Sequence, residues 1–356
     1  MTQGEVVGIA GAGHLVRRLS PRARSGLDVS RAFAAVYVVL HHAVASITAP
    51  KAIDLLFSFG QEAVIIFFLL SGFVIFANER DRVAHPRGYY LRRLRRIYPL
   101  ILIAMLLSTV LWATGLIIET FSWSSLFGTL FSVQDIAFLK PGVITAPYLG
   151  NDPLWSLSYE VFFYAVFPIV MIAWRRNQMA ARHAVGAIAV VAYVTYLAAP
   201  NHFSLVVAYF LLWWTGAMIA KVHLDGNLQI GAVLPEMIWL SALILVAAAG
   251  VVFYGSHGLG VFPILMVRHF VVAAAMALAL FTPLRGLLAS LSLRIARPAA
   301  VVAGLSYGLY VLHVPLLVQT GVANSWLLLP AFAGTVVLAY FSDSFLASRL
   351  PKAPRD

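Results

Sequence analysis

Arg31 and His42 stand eleven positions apart in the first apolar stretch, LDVSRAFAAVYVVLHHAV. At about 100° per helical residue, that spacing returns both side chains to one face, along a stripe about 16 Å long. A guanidinium and an imidazole are expensive in hydrocarbon, so finding both on one membrane helix points to function. With Arg31 at the edge, His42 falls beyond mid-membrane, where a neutral imidazole is suited to take a proton from an alcohol. The competing reading is a histidine that bonds across helices. His41 points about 80° away from the stripe.

Three further constellations carry reactive groups. YYLRRLRRIYPL packs Arg92, Arg93, Arg95 and Arg96 into five positions, where they repel one another unless an anion sits among them. Arginine forks match phosphate oxygens, so the cluster suits a polyphosphate ligand, or otherwise acidic lipid head groups. In PLWSLSYEVFFYAVFP, Glu160 lies a short way below the interface marked by Trp155 and requires a partner. Tyr164 shares its face, and Pro168 leaves a helical carbonyl free. Glu160 is suited to orienting an imidazole or binding an acceptor hydroxyl, and alternatively to pairing with an arginine such as Arg268. In LSYGLYVLHVPLL, Ser306, Tyr310 and His313 form one polar stripe, and Pro315 frees the carbonyl of Val311. That stripe lines an acceptor channel or serves as interhelical glue. Ser71 and Gly72 allow close approach of a ligand or of another helix. Arg268, His269 and Asp343 are further buried candidates without an interpretable motif.

The elements that position these groups are membrane helices. The chain has 356 residues, 61% hydrophobic and only 11% charged, against about 25% charged in a soluble domain. Ten runs approach or reach the length needed to span a bilayer, at about 29–49, 60–78, 97–118, 154–174, 183–199, 202–220, 235–254, 260–282, 299–320 and 325–347. With the N-terminus in the cytoplasm, all of the 25 Lys and Arg except Lys51, Lys140 and Arg268 fall inside or at the inner edge. This asymmetry predicts an all-α polytopic bundle of about ten helices with both termini cytoplasmic, in the cytoplasmic membrane. The net charge of +11 is then orientation chemistry and gives no reason to invoke nucleic acid. Cysteine is absent, which excludes disulfides, thiolate metal sites and a cysteine nucleophile, and no metal is expected.

The division expected is a tail over 1–28, a transmembrane unit over 29–347 and a second tail over 348–356. The opening residues do not read as a cleaved signal peptide, so the first span is expected to act as the export signal. No internal repeat is visible, which weighs against an inverted-repeat transporter. Between about Thr120 and Pro153, aromatics mixed with Gly and Pro fit an interfacial helix followed by a loop, or a plain connector.

Taken in order, these segments resemble the acyltransferase-3 family of integral membrane sugar O-acyltransferases. LDVSRAFAAVYVVLHHAV resembles its arginine, ten residues, histidine signature, which selects His42 over His41. FFLLSGFVI resembles its second-helix motif, RRLRRIYP its arginine, two residues, arginine element through Arg93 and Arg96, and WSLSYE its Trp-Ser-Leu-x-x-Glu segment. SYGLYVLHVP resembles its late Tyr and His motif. Two departures stand out. Ile65 occupies a place where many relatives carry an acid, with Glu62 nearby, and the chain ends at Asp356 without the soluble esterase-like domain of some relatives. Acceptor handling by such a domain is therefore expected to be missing or supplied by another protein.

The resemblance implies transfer of an acyl group, most often acetyl from acetyl-CoA, to a carbohydrate hydroxyl on the extracytoplasmic side. Arg31, Arg93 and Arg96 are then expected to hold the CoA phosphates, and His42 to act as general base or acyl carrier. Glu160 is expected to orient His42 or the acceptor, and Trp155, Ser306, Tyr310 and His313 to contact the acceptor. Membrane lipids and envelope-polysaccharide assembly proteins are the further partners expected. The rival class is a transporter moving a lipid-linked glycan or small anion without covalent chemistry, and a structural scaffold is the third.

Overall fold

Ser20 and Pro21 start the first helix, α1 (Pro21–Ala45): the Ser20 hydroxyl accepts from the Ala23 amide at 3.2 Å, and proline takes a first-turn position that needs no amide donor. The helix therefore begins two turns before the predicted 29. In the computed structural model, which describes residues 19–47, 49–322 and 326–342, the chain continues through α2 (Lys51–Leu56), α3 (Gly60–Glu79), α4 (Pro86–Ala113) and α5 (Trp123–Leu130). It then forms α6 (Trp155–Arg176), α7 (Gln178–Ala198), α8 (His202–Asp225) and α9 (Leu234–Tyr254). The last elements are α10 (Ile264–Ala279), α11 (Leu284–Arg294), α12 (Ala296–His313), a π-helical turn over Val314–Val318, and α13 (Leu328–Tyr340). Among the described residues there is no strand, only an isolated bridge between Gln134 and Thr145.

The fold is an all-helical polytopic membrane bundle. Eight helices among the described residues are long and apolar enough to cross a bilayer, and α10 with α11 makes a ninth if that pair is one span. The pair is bent by 85°, at the Thr282–Pro283 step, where proline lacks a donor and disfavours helix at the residue before it. The tenth expected span shows only the 13 residues of α13. Asp343, the end of that span and the tail over 348–356 lie outside the described residues, as does most of the tail over 1–28.

α8 is apolar on every face and is the buried axis of the bundle, with Trp213 and Trp214 wholly enclosed. α3 lies directly against it. A Cβ on Gly72 would stand 1.9 Å from the Trp213 carbonyl oxygen, and one on Gly216 would stand 2.0 Å from that of Leu69. The two glycines bring the backbones into contact, so Gly72 serves packing and leaves Ser71 as the polar group on that turn. α1 packs between α3 and α12. The segment expected to be an interfacial helix and loop forms α5 and a long loop that folds back into the bundle.

Candidate active site

α3, α4, α6 and α12 enclose, with the middle of α1, a cavity of 390 Å³. Arg31 lines it from α1, and Arg92, Arg93, Arg95 and Arg96 line it from the first turns of α4, which starts at Pro86, ahead of the predicted 97. Glu160 and Tyr164 enter from α6, and Ser306, Tyr307 and Tyr310 from α12. Five guanidiniums thus face one carboxylate across a small space.

The arginines are held from behind by a residue that the sequence reading missed. Glu79, the last residue of α3 and only 2% exposed, accepts from Arg92 Nε at 3.1 Å and Nη2 at 2.8 Å, and from Arg93 Nη2 at 2.9 Å. A bidentate fork of this kind fixes the plane of a guanidinium. Arg93 also lies 5.6 Å from the Tyr164 ring centre, and Arg96 lies 5.4 Å from that of Tyr307. The only sequence signal for Glu79 is an acid one loop before a basic run.

Glu160 bonds Tyr164, which helical spacing put on its face, and Ser71, instead of an imidazole or Arg268. Its Oε1 accepts from Ser71 Oγ at 2.9 Å and from the Tyr164 hydroxyl, while Trp213 Nε1 donates to Ser71 Oγ at 3.1 Å. It therefore reaches neither His42 nor Arg268 here, and belongs to the arginine cavity. Arg268 pairs instead with Glu62, at 2.7 Å. Pro168 leaves the Tyr164 carbonyl without its helical donor, and Tyr89 supplies one at 3.1 Å, tying α4 to α6.

Ser156 and Tyr310 close the far end of the cavity. The Tyr310 hydroxyl donates to Ser156 Oγ at 2.8 Å, and Ser156 Oγ in turn donates to the Pro153 carbonyl at 3.4 Å. One turn further along α12, His313 Nε2 stands 3.1 Å from His42 Nδ1. The stripe of Ser306, Tyr310 and His313 is thus split: the first two line the cavity, and His313, fully buried, meets His42 beyond it. Pro315 frees the Val311 carbonyl, and the buried Asn151 fills the vacancy with Nδ2 at 3.0 Å.

Trp155 lies elsewhere. It is buried beneath the Lys140 ammonium, which sits 3.6 Å from its ring centre and 2.6 Å from Asp135 Oδ1. Tyr159 donates to Asp135 Oδ2 at 2.6 Å. Burial pushes the Lys140 ammonium down from its ordinary pKa, and Asp135 opposes that shift. The loop over 131–154 is locked to α6 by this group, and Trp155 is part of the lock instead of the cavity wall.

The arginine cavity, closed by Tyr310, thus stands one helical turn from a histidine pair in which His313 is fully buried and His42 half-buried. The sequence profile of the acyltransferase-3 family, described as an acyltransferase domain, matches residues 24–343. The chain belongs to this family. Among curated relatives, Nodulation protein 10 of Rhizobium leguminosarum bv. viciae is 29% identical over 170 residues, 43% of this chain and 46% of that protein. Acyltransferase MdmB of Streptomyces mycarofaciens is 37% identical over 113 residues, 31% of this chain and 28% of that protein. O-acetyltransferase OatA of Staphylococcus aureus is 29% identical over 168 residues, 44% of this chain and 26% of that protein. The matches cover less than half the length of each relative. No solved structure matches the chain. The family match runs from the first turn of α1 through α13, and so takes in every residue of the cavity and the histidine pair.

Proposed function

We propose that this acyltransferase-3 protein is an O-acyltransferase of the cytoplasmic membrane, which carries an acyl group, acetyl foremost, from cytoplasmic acyl-CoA to a carbohydrate hydroxyl on the extracytoplasmic side. The observation that carries the reading is the five-arginine cavity, whose floor at Tyr310 lies one helical turn from the His313–His42 pair. Multiple guanidiniums at one mouth suit the diphosphate and the third phosphate of CoA. The pantetheine arm then runs toward Tyr310 and the histidines, with Ser306 along its path. Acceptors of this class are found in envelope glycans, and the proteins that assemble them are the partners proposed.

His42 performs the proton chemistry. Its Nε2 removes the acceptor proton as the oxygen attacks the thioester carbonyl; the C–S bond then breaks, and the CoA thiolate leaves with that proton. One O–H and one C–S bond are exchanged for a C–O and an S–H bond. A variant route, in which His42 carries the acyl group transiently, uses the same nitrogen.

Purified protein in lipid nanodiscs, given acetyl-CoA labelled in the acetyl group, is the test. Release of CoA thiol with label appearing in ester or acetate supports the reading, and its loss in His42→Ala with CoA binding intact assigns the residue. Label that crosses a proteoliposome membrane without any thiol release overturns it in favour of transport.

A further inference from the structure

The hydrogen bonds around the histidine pair assign the proton on each ring. A carbonyl oxygen only accepts, so His313 Nδ1, 2.9 Å from the Leu309 carbonyl, carries hydrogen, and its Nε2 presents a lone pair. His42 Nδ1, 2.9 Å from the Val38 carbonyl, carries hydrogen by the same argument, and also lies 3.1 Å from His313 Nε2. His42 therefore shares its Nδ1 hydrogen between a carbonyl and an imidazole lone pair. Its Nε2 is left with a lone pair and bonds no described residue.

We propose that His313 is the positioning residue of the His42 base: it holds the His42 ring in the tautomer with a basic Nε2, and its lone pair steadies the Nδ1 hydrogen when Nε2 takes up a proton. This rests on the reading of His42 given above. The arrangement reproduces the logic of a base oriented by a third group, with an imidazole where a carboxylate is more usual. No carboxylate bonds His42 among the described residues, and Glu160 is engaged by Ser71 and Tyr164. The other titratable groups nearby are His41, whose ring centre is 4.8 Å from that of His42, and beyond it the Glu62–Arg268 pair. His41 Nδ1 is 2.5 Å from the Phe57 carbonyl, so that ring is held by the α2–α3 connection.

The backbone around His313 is built to hold it still. The α-helix gives way to a π-helical turn immediately after it, a feature frequent at functional sites. The carbonyl that Pro315 releases, Val311, is held by the wholly buried Asn151 from the loop before α6. His313 therefore sits on a helix break whose backbone is pinned from outside its own helix, while its ring is held by the Leu309 carbonyl.

The experiment compares His313→Leu and His313→Gln in full-length protein in nanodiscs, reading CoA thiol release from acetyl-CoA with water or a methyl glycoside as acceptor. Gln places an amide oxygen where the lone pair of Nε2 stood, and Leu places nothing. His313→Leu is expected to lose roughly 100- to 10,000-fold in kcat with KM for acetyl-CoA unchanged, and His313→Gln to recover most of that loss. Wild-type kcat in His313→Leu overturns the proposal, and so do Leu and Gln variants that are equally inactive while still binding CoA. A His42→Ala protein that remains active overturns the reading of His42 itself, whereas inactive His42→Ala beside active His313→Leu removes this inference alone. Should the Leu variant not fold, ¹⁵N-histidine spectra of the wild type decide: His42 as the Nδ1–H tautomer is expected, and Nε2–H overturns the proposal.

Discussion

The Tyr310 hydroxyl and the Ser156 hydroxyl stand 2.8 Å apart and close the arginine cavity on the side of the histidines. The two ends of the bond are not equivalent. Ser156 Oγ keeps the Pro153 carbonyl when Tyr310 is changed, whereas a lone Tyr310 hydroxyl is left buried. Ser156→Ala should therefore destabilise more, by about 1–3 kcal/mol, than Tyr310→Phe, at about 1 kcal/mol. Thermal unfolding in one detergent checks the order, and the reverse order would show that the bond is not made.

Arg93→Ala with Arg96→Ala should weaken CoA binding by at least about tenfold, since hydrogen bonds to charged groups contribute about 1.5–3 kcal/mol each. Isothermal titration with CoA measures it. Unchanged affinity in the double variant assigns the cluster to lipid head groups.

Glu79→Gln removes the charge that Arg92 and Arg93 share. The variant should be less stable by about 3–5 kcal/mol without ligand, because two partly buried guanidiniums lose their carboxylate. Acetyl-CoA should raise its melting temperature more than that of the wild type, since phosphate oxygens take over the lost contacts. An equal or smaller rise would place the phosphates away from Arg92 and Arg93.

Lys140→Met leaves Asp135 buried with Tyr159 and a backbone amide as donors, and with the His202 imidazole 3.7 Å away in place of the ammonium. A loss of about 3–5 kcal/mol is expected, with Lys140→Met plus Asp135→Asn recovering much of it. Limited proteolysis of the loop over 131–154 reports the same order, and a stable single variant would deny the lock.

Much of this architecture is written locally. Hydrophobic runs place nearly every membrane helix, and the i, i+4, i+7 spacing puts Ser306, Tyr310 and His313 on one stripe. Pro168 and Pro315 announce the carbonyls they free, those of Tyr164 and Val311. What fills those carbonyls is not local: Tyr89 and Asn151 come from distant segments, and no spacing rule reaches them. The same limit hid the His42–His313 contact, made across 271 positions, and the hold of Glu79 on the arginines. Glu160 misled for a related reason. Its depth below Trp155 suggested the acceptor side, but the burial that makes a carboxylate seek a partner is met by Ser71 and Tyr164, on the arginine side of Tyr310.

The contact of Gly72 and Gly216 with the opposite helix's carbonyls bears on how this site can drift between relatives. Where side chains separate two helices, substitutions on one are absorbed by new rotamers on the other. Here peptide meets peptide, and a single methyl at either position has nowhere to go. Ser71 adjoins one of these glycines, and Trp213, its donor, supplies the carbonyl that Gly72 abuts. The surroundings of Glu160 are in this way tied to two positions that bear no functional group at all, and a survey of tolerated substitutions should find them as intolerant as the carboxylate.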